Sequence, residues 1–126
     1  MGLFSGLMGN ASEMDMEKLE KELAEILIKG EEIEQGYQLI RDYFVFTNKR
    51  LILVDKQGLT GAKKELHSIP YSSIRHFSIE TARSFDRDSE LKIWIASLQQ
   101  PVIKEFSKKS SDILEVQKTL SKHALK

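Results

Sequence analysis

Between Tyr43 and Asp55 the chain carries two strand-length apolar runs, Tyr43–Phe46 and Leu51–Val54, separated by the polar tetrad Thr47-Asn48-Lys49-Arg50. Asn accepts the left-handed backbone of a tight turn, so the pattern predicts a β-hairpin. Neither run alternates. Successive side chains on a strand point to opposite faces, so both faces of this hairpin need cover. One small core covers one face. The other has to meet a helix or a second subunit.

The same reading extends in both directions. Ser12-Glu-Met-Asp15 resembles a capping box, and the apolar residues Met16, Leu19, Leu23, Ile26 and Leu27 keep to one stripe. This predicts an amphipathic helix over 12–29, with Gly30 as its stop. From Ile33 the period changes to two. Ile33, Tyr37, Leu39 and Ile40 predict a first strand that turns at Arg41-Asp42 into the hairpin. After a glycine-containing loop, strands are expected over 64–69, 75–80, 91–95 and 102–106, with Pro70 ending the first of these and a polar loop at 81–89. Ile113, Val116, Gln117, Leu120 and Ala124 return to helical spacing, which predicts a closing helix over 111–125.

The expected fold class is therefore α+β and mainly β. About seven short antiparallel strands form a bent sheet or partly open barrel, capped by a C-terminal helix, with an extra helix in front. Residues 1–11 read as a flexible apolar segment, 12–30 as the N-terminal helix and 31–126 as the domain. Ile113, Val116 and Leu120 are expected to plug the open end near Phe77, Ile93 and Ile95.

Composition narrows the function. A chain of 126 residues is one domain with a modest core. Zero net charge argues against a nucleic-acid binder, whose footprint is usually basic. The absence of cysteine removes disulfides, thiolate metal sites and cysteine nucleophiles, and it fits a cytoplasmic location. The neutral total hides an asymmetry: 13–34 holds nine acids against three lysines, a net of −6, leaving +6 elsewhere. An acidic helix can then face the basic body of a neighbouring subunit, or simply be solvated. Met1–Gly9 is too short to span a membrane and misses the myristoylation pattern at Gly6. It is either a flexible tail or an apolar plug for a partner or a lipid surface.

The motifs Phe46-Thr-Asn-Lys-Arg-Leu-Ile-Leu-Val-Asp55, Lys56-Gln-Gly58, His67-Ser-Ile-Pro-Tyr71, Leu91-Lys-Ile-Trp94 and Asp112-Ile-Leu-Glu-Val-Gln-Lys118 resemble the bacterial pleckstrin-homology-like family. The resemblance spans nearly the whole chain and rests on turns and strand junctions, so it implies fold more than chemistry. It implies a small bacterial cytoplasmic domain of poorly defined function that assembles into rings. Eukaryotic relatives of this fold bind phosphoinositides through bases at the junction of the first two strands. Here that junction is Leu39-Ile-Arg-Asp-Tyr43, one arginine beside an acid, so headgroup binding there does not carry over.

Candidate chemistry is sparse. His67, His76 and His123 lack a nucleophile and orienting acid at useful spacing, and no nucleophile elbow appears. Asp86, Asp88 and Glu90 alternate as in a calcium loop but lack its glycine and distal glutamate. Catalytic, cofactor and metal residues are therefore expected to be absent. Lys49, Arg50, Lys63 and Lys64 are the residues that could gather on one sheet edge for an anionic lipid or acidic peptide. Trp94, beside Lys92, is expected on the outer sheet face or at a subunit contact. The leading expectation is a non-enzymatic interaction module that forms a homo-oligomer, with or without a further protein partner. Its interface would use Met16, Leu19, Leu23, Tyr43, Val45, Ile52 and Val54. Two alternatives stand beside it: the helix folds back over its own hairpin, or the chain is a peripheral membrane-binding domain.

Overall fold

A computed structural model describes residues 15–39, 42–57, 63–80, 89–106 and 113–125. The order is α1 (Met16–Leu23), β1 (Ile33–Gln38), β2 (Tyr43–Thr47), β3 (Arg50–Gln57), β4 (Lys63–Pro70), a 3-10 turn at Tyr71–Ser73, β5 (Ile74–Glu80), β6 (Ser89–Ile95), β7 (Val102–Phe106) and α2 (Ile113–Ala124). Seven antiparallel strands form two sheets, β1-β2-β3-β4 and β5-β6-β7. The expected single bent sheet is thus divided between β4 and β5, where Pro70 and the 3-10 turn carry the chain across.

The hairpin register sorts its apolar residues into two layers. Phe44 lies opposite Leu53 and Phe46 opposite Leu51, and these four side chains face the space between the sheets. Tyr43 lies opposite Val54 and Val45 opposite Ile52, facing the other way. The inner layer meets Leu91, Ile93 and Phe106 from the second sheet and Ile113, Val116 and Leu120 from α2. As expected, α2 plugs the core together with Ile93 and Ile95, with Phe77 packed at its margin.

Several boundaries differ from expectation, each for a local reason. Asp15 caps α1 by accepting a 3.2 Å hydrogen bond from the Glu17 N–H, while Ser12 lies outside the described residues. The helix stops at Leu23 instead of Lys29, and downstream backbone groups bond to side chains instead: Arg50 of the hairpin takes the Ile26 carbonyl and the nearby Glu31 takes the Ile28 N–H. Gly30 turns at a φ of 84°, a conformation glycine adopts without a Cβ penalty. The tetrad at the hairpin tip is a tighter turn than expected, since Thr47 and Arg50 are already strand residues. β3 also runs on through Asp55–Gln57, pairing with Glu65, Lys64 and Lys63 where a loop was expected. Those pairs are polar, so no apolar alternation marks them.

Candidate interaction surfaces

The outer face of the hairpin is covered by the chain's own N-terminal helix. Leu19 and Leu23 of α1 form a second buried cluster with Tyr43, Val45, Ile52 and Val54, and Ile26, Leu27 and Ile33 close its edge. The Tyr43 hydroxyl donates to Glu22 Oε1, and burial together with that carboxylate raises the phenol's pKa. Six of the seven residues expected at a subunit interface are therefore core residues within one chain. Met16, at 36% exposure, is the exception. The premise that this face needs cover holds; fold-back supplies the cover, so the face offers no apolar surface to a second copy.

A glycine permits this packing. Gly36 of β1 lies opposite Val45, and a methyl group there would overlap the Leu19 side chain. Leu19 has no solvent-exposed surface, so it has little room to yield.

The hairpin turn then fastens the helix in place. Arg50 donates from Nε to Glu31 Oε2 and from Nη2 to Glu31 Oε1, each at 2.8 Å, a two-pronged pair with a carboxylate whose side chain is fully buried. The same Nη2 reaches the Ile26 carbonyl at 2.7 Å, and Nη1 donates to Ser68 Oγ at 2.9 Å. Thr47 Oγ1 donates to Glu31 Oε2 at 2.7 Å. These contacts, with Arg50 the largest, hold the Glu31 carboxyl down at about 2 against the opposing effect of burial. Asn48 completes the fastening: its Oδ1 accepts from the Glu32 N–H at 2.7 Å and its Nδ2 donates to the Gly30 carbonyl at 3.0 Å. The sequence pattern marks Asn48 as a turn former only and gives Glu31 no role. A buried glutamate has no signature within a run of exposed ones.

The basic residues do not gather. Arg50 is committed to Glu31, and Lys49 sits exposed beside it at the turn. Lys63 and Lys64 lie at the far end of the same ladder, opposite Gln57 and Lys56. Seven residue steps along the strand separate the two ends, roughly 23 Å at the usual rise. Near the junction of β1 and β2, two carboxylates meet the lysine of β7. Asp42 Oδ1 accepts from the Lys56 N–H at 3.1 Å, and Asp42 shares a hydrogen bond with Asp55. Lys104 reaches in from β7 to Asp55 at 2.9 Å and Asp42 at 4.0 Å, with 12% of its side chain exposed. Burial raises the Asp42 carboxyl, whereas Lys104 lowers that of Asp55.

The remaining candidates separate as well. His67 lies on the strand face toward Leu53 and acts electrostatically on Asp55, while Ser68 turns to Arg50; the adjacent pair forms no catalytic unit. His76 stacks on Trp94 across the outer face of the second sheet, 4.4 Å between ring centroids. Asp86 and Asp88 lie outside the described residues, and Glu90 of β6 lies opposite Glu80 of β5 and 4.0 Å from Lys92. Among the described residues no group of three or more His, Asp or Glu side chains could hold a metal ion, and no helix is long and apolar enough to cross a membrane.

Two packed antiparallel sheets, with a C-terminal helix plugging one end, define a pleckstrin-homology-like domain. Residues 2–124 match the bacterial PH domain family, and the chain belongs to it. It is 53% identical over 121 residues to the uncharacterized protein YjqA of Bacillus subtilis, covering 96% of this chain and 97% of that one. Among solved structures it resembles the pleckstrin homology domain from Shewanella amazonensis, with 51% identity, a TM-score of 0.83, and coverage of 99% of this chain and 100% of that one. A DUF1696 family protein with a pleckstrin-homology domain from Shewanella loihica is similar too, at 48% identity and a TM-score of 0.81, over 92% of this chain and 98% of that one.

Proposed function

We propose that this bacterial PH domain is a non-enzymatic interaction module that associates with copies of itself, using the open edge of β4 as one half of the contact. The observation carrying the reading is that edge. β4 is eight residues long, pairs only with β3 among the described strands, and exposes Lys63, Lys64, Glu65, Leu66 and Ser68. An unpaired strand edge presents free N–H and C=O groups to another chain. Lys63 and Lys64 guard it against indiscriminate pairing and favour an acidic complement. The helix region supplies one, with Glu17, Glu20 and Glu25 exposed and a net of −6 over 13–34. Contact between two different patches is heterologous and generates a ring when its rotation closes.

Anionic-lipid binding has less support, because Lys49 and Arg50 lie at the opposite end of the β3–β4 ladder from Lys63 and Lys64, and Arg50 is committed to Glu31. Light scattering on the full-length protein, beside sedimentation with anionic vesicles, separates the two readings. Self-association without vesicle binding is expected. A monomer at micromolar concentration that pellets with vesicles would reverse the assignment.

A further inference from the structure

The end of the domain that carries the Thr47–Arg50 turn also receives the last turn of α2, held there by His123. Its Nε2 lies 2.7 Å from Glu34 Oε1 on β1. Its ring stacks on Tyr71, with centroids 4.2 Å apart and planes 6° from parallel, and runs alongside Phe46 at 6.5 Å and 14°. Only 10% of the side chain is exposed. Tyr71 is fixed in turn, since its hydroxyl donates to the Thr47 carbonyl at 2.6 Å. The imidazole thus joins α2, β1, β2 and the 3-10 turn at one point.

We infer that His123 and Glu34 form a proton-dependent latch on the C-terminal turn of α2, tighter when the imidazole is protonated. Histidine is the side chain whose charge ordinarily changes across the physiological pH range. A neutral ring donates one N–H or turns a lone pair toward the carboxylate, depending on tautomer; the imidazolium always donates and adds opposite charge. Two further features place negative potential at the ring. His123 occupies the last turn of α2, where unpaired carbonyls carry partial negative charge. The Tyr71 ring offers its electron-rich face, and burial keeps that phenol protonated by raising its pKa.

The surrounding charges are consistent with this sign. β1 presents Glu34, and the neighbouring Glu31 is already neutralised by Arg50. β2 presents the apolar Phe46. β5 contributes the buried Ile74, with Arg75 and His76 exposed to solvent. On its own helix His123 follows Lys122, which is exposed.

Amide hydrogen exchange of residues 122–125 in the full-length protein tests this, with opening constants corrected for intrinsic exchange between about pH 5.5 and about pH 8. The Leu125 N–H, bonded to the Ser121 carbonyl at 3.0 Å, is the direct reporter. Opening is expected to increase about 3- to 10-fold as pH rises in the wild type. It should be flat in His123→Gln and smaller in Glu34→Gln, and should keep its rise in His67→Gln and His76→Gln. A flat wild-type profile overturns the inference, and so does a rise that persists in His123→Gln or is undiminished in Glu34→Gln. If those two variants fail to fold, the wild type decides: opening must follow the titration of the His123 ring protons, and opening that departs from it overturns the latch.

Discussion

Glu31 stands in a stretch crowded with acids, yet its carboxylate is the one buried and gripped by Arg50, Thr47 and the Ile28 N–H. Its carboxyl is lowered from 4.5 to about 2, with Arg50 as the main cause. A group whose pKa is depressed on folding stabilises the fold fully above its unfolded value, and that stability is lost as pH falls through the folded value. The advantage of wild type over Glu31→Gln in denaturant unfolding should therefore shrink between about pH 4.5 and about pH 2. A constant difference across that range would contradict the role given to Glu31. Arg50→Gln leaves a buried charge unpaired and should cost about 3–5 kcal/mol near neutral pH, read from the same melts. At this scale the sequence was least informative. Asn48 and Arg50 were visible as turn and basic residues, but their partners lie 16 to 24 residues away, beyond any local pattern.

The elements were far more legible. Strand order, the closing helix and the two-faced hairpin all follow from apolar periodicity, because each element buries a face. Boundaries failed where burial did not set them: the polar extension of β3, and the end of α1, beyond which Arg50 of the hairpin takes the Ile26 carbonyl. Gly36 gave a weak signal, a glycine inside a strand pattern, which often marks the close approach of another element. Gly36→Ala should push Leu19 off its seat and destabilise the protein by about 1–3 kcal/mol. Faster proteolysis before Ile33 should accompany the loss; an unchanged melt would show that α1 yields without cost. At the other end, Leu120 is fully buried in the main core. Leu120→Ala should cost about 2–5 kcal/mol, measured as a lower melting temperature.

For the molecule as a whole, the sequence required cover for the outer hairpin face but could not name the polypeptide that supplies it. An apolar surplus looks the same whether a neighbour or a tethered helix absorbs it. With α1 in place, the surplus is spent within one chain, and self-association has to rest on the sheet edge and the charge asymmetry. Deleting 1–29 should consequently expose Tyr43, Val45, Ile52 and Val54 and produce polydisperse aggregation in light scattering, whereas a well-behaved monomer would show that the face tolerates water. The most direct measurement is a native mass spectrum of the full-length protein beside the double variant Lys63→Glu, Lys64→Glu. One discrete multimer is expected for the wild type, with dissociation on charge reversal. A monomer in both samples, or a multimer indifferent to the reversal, would contradict it.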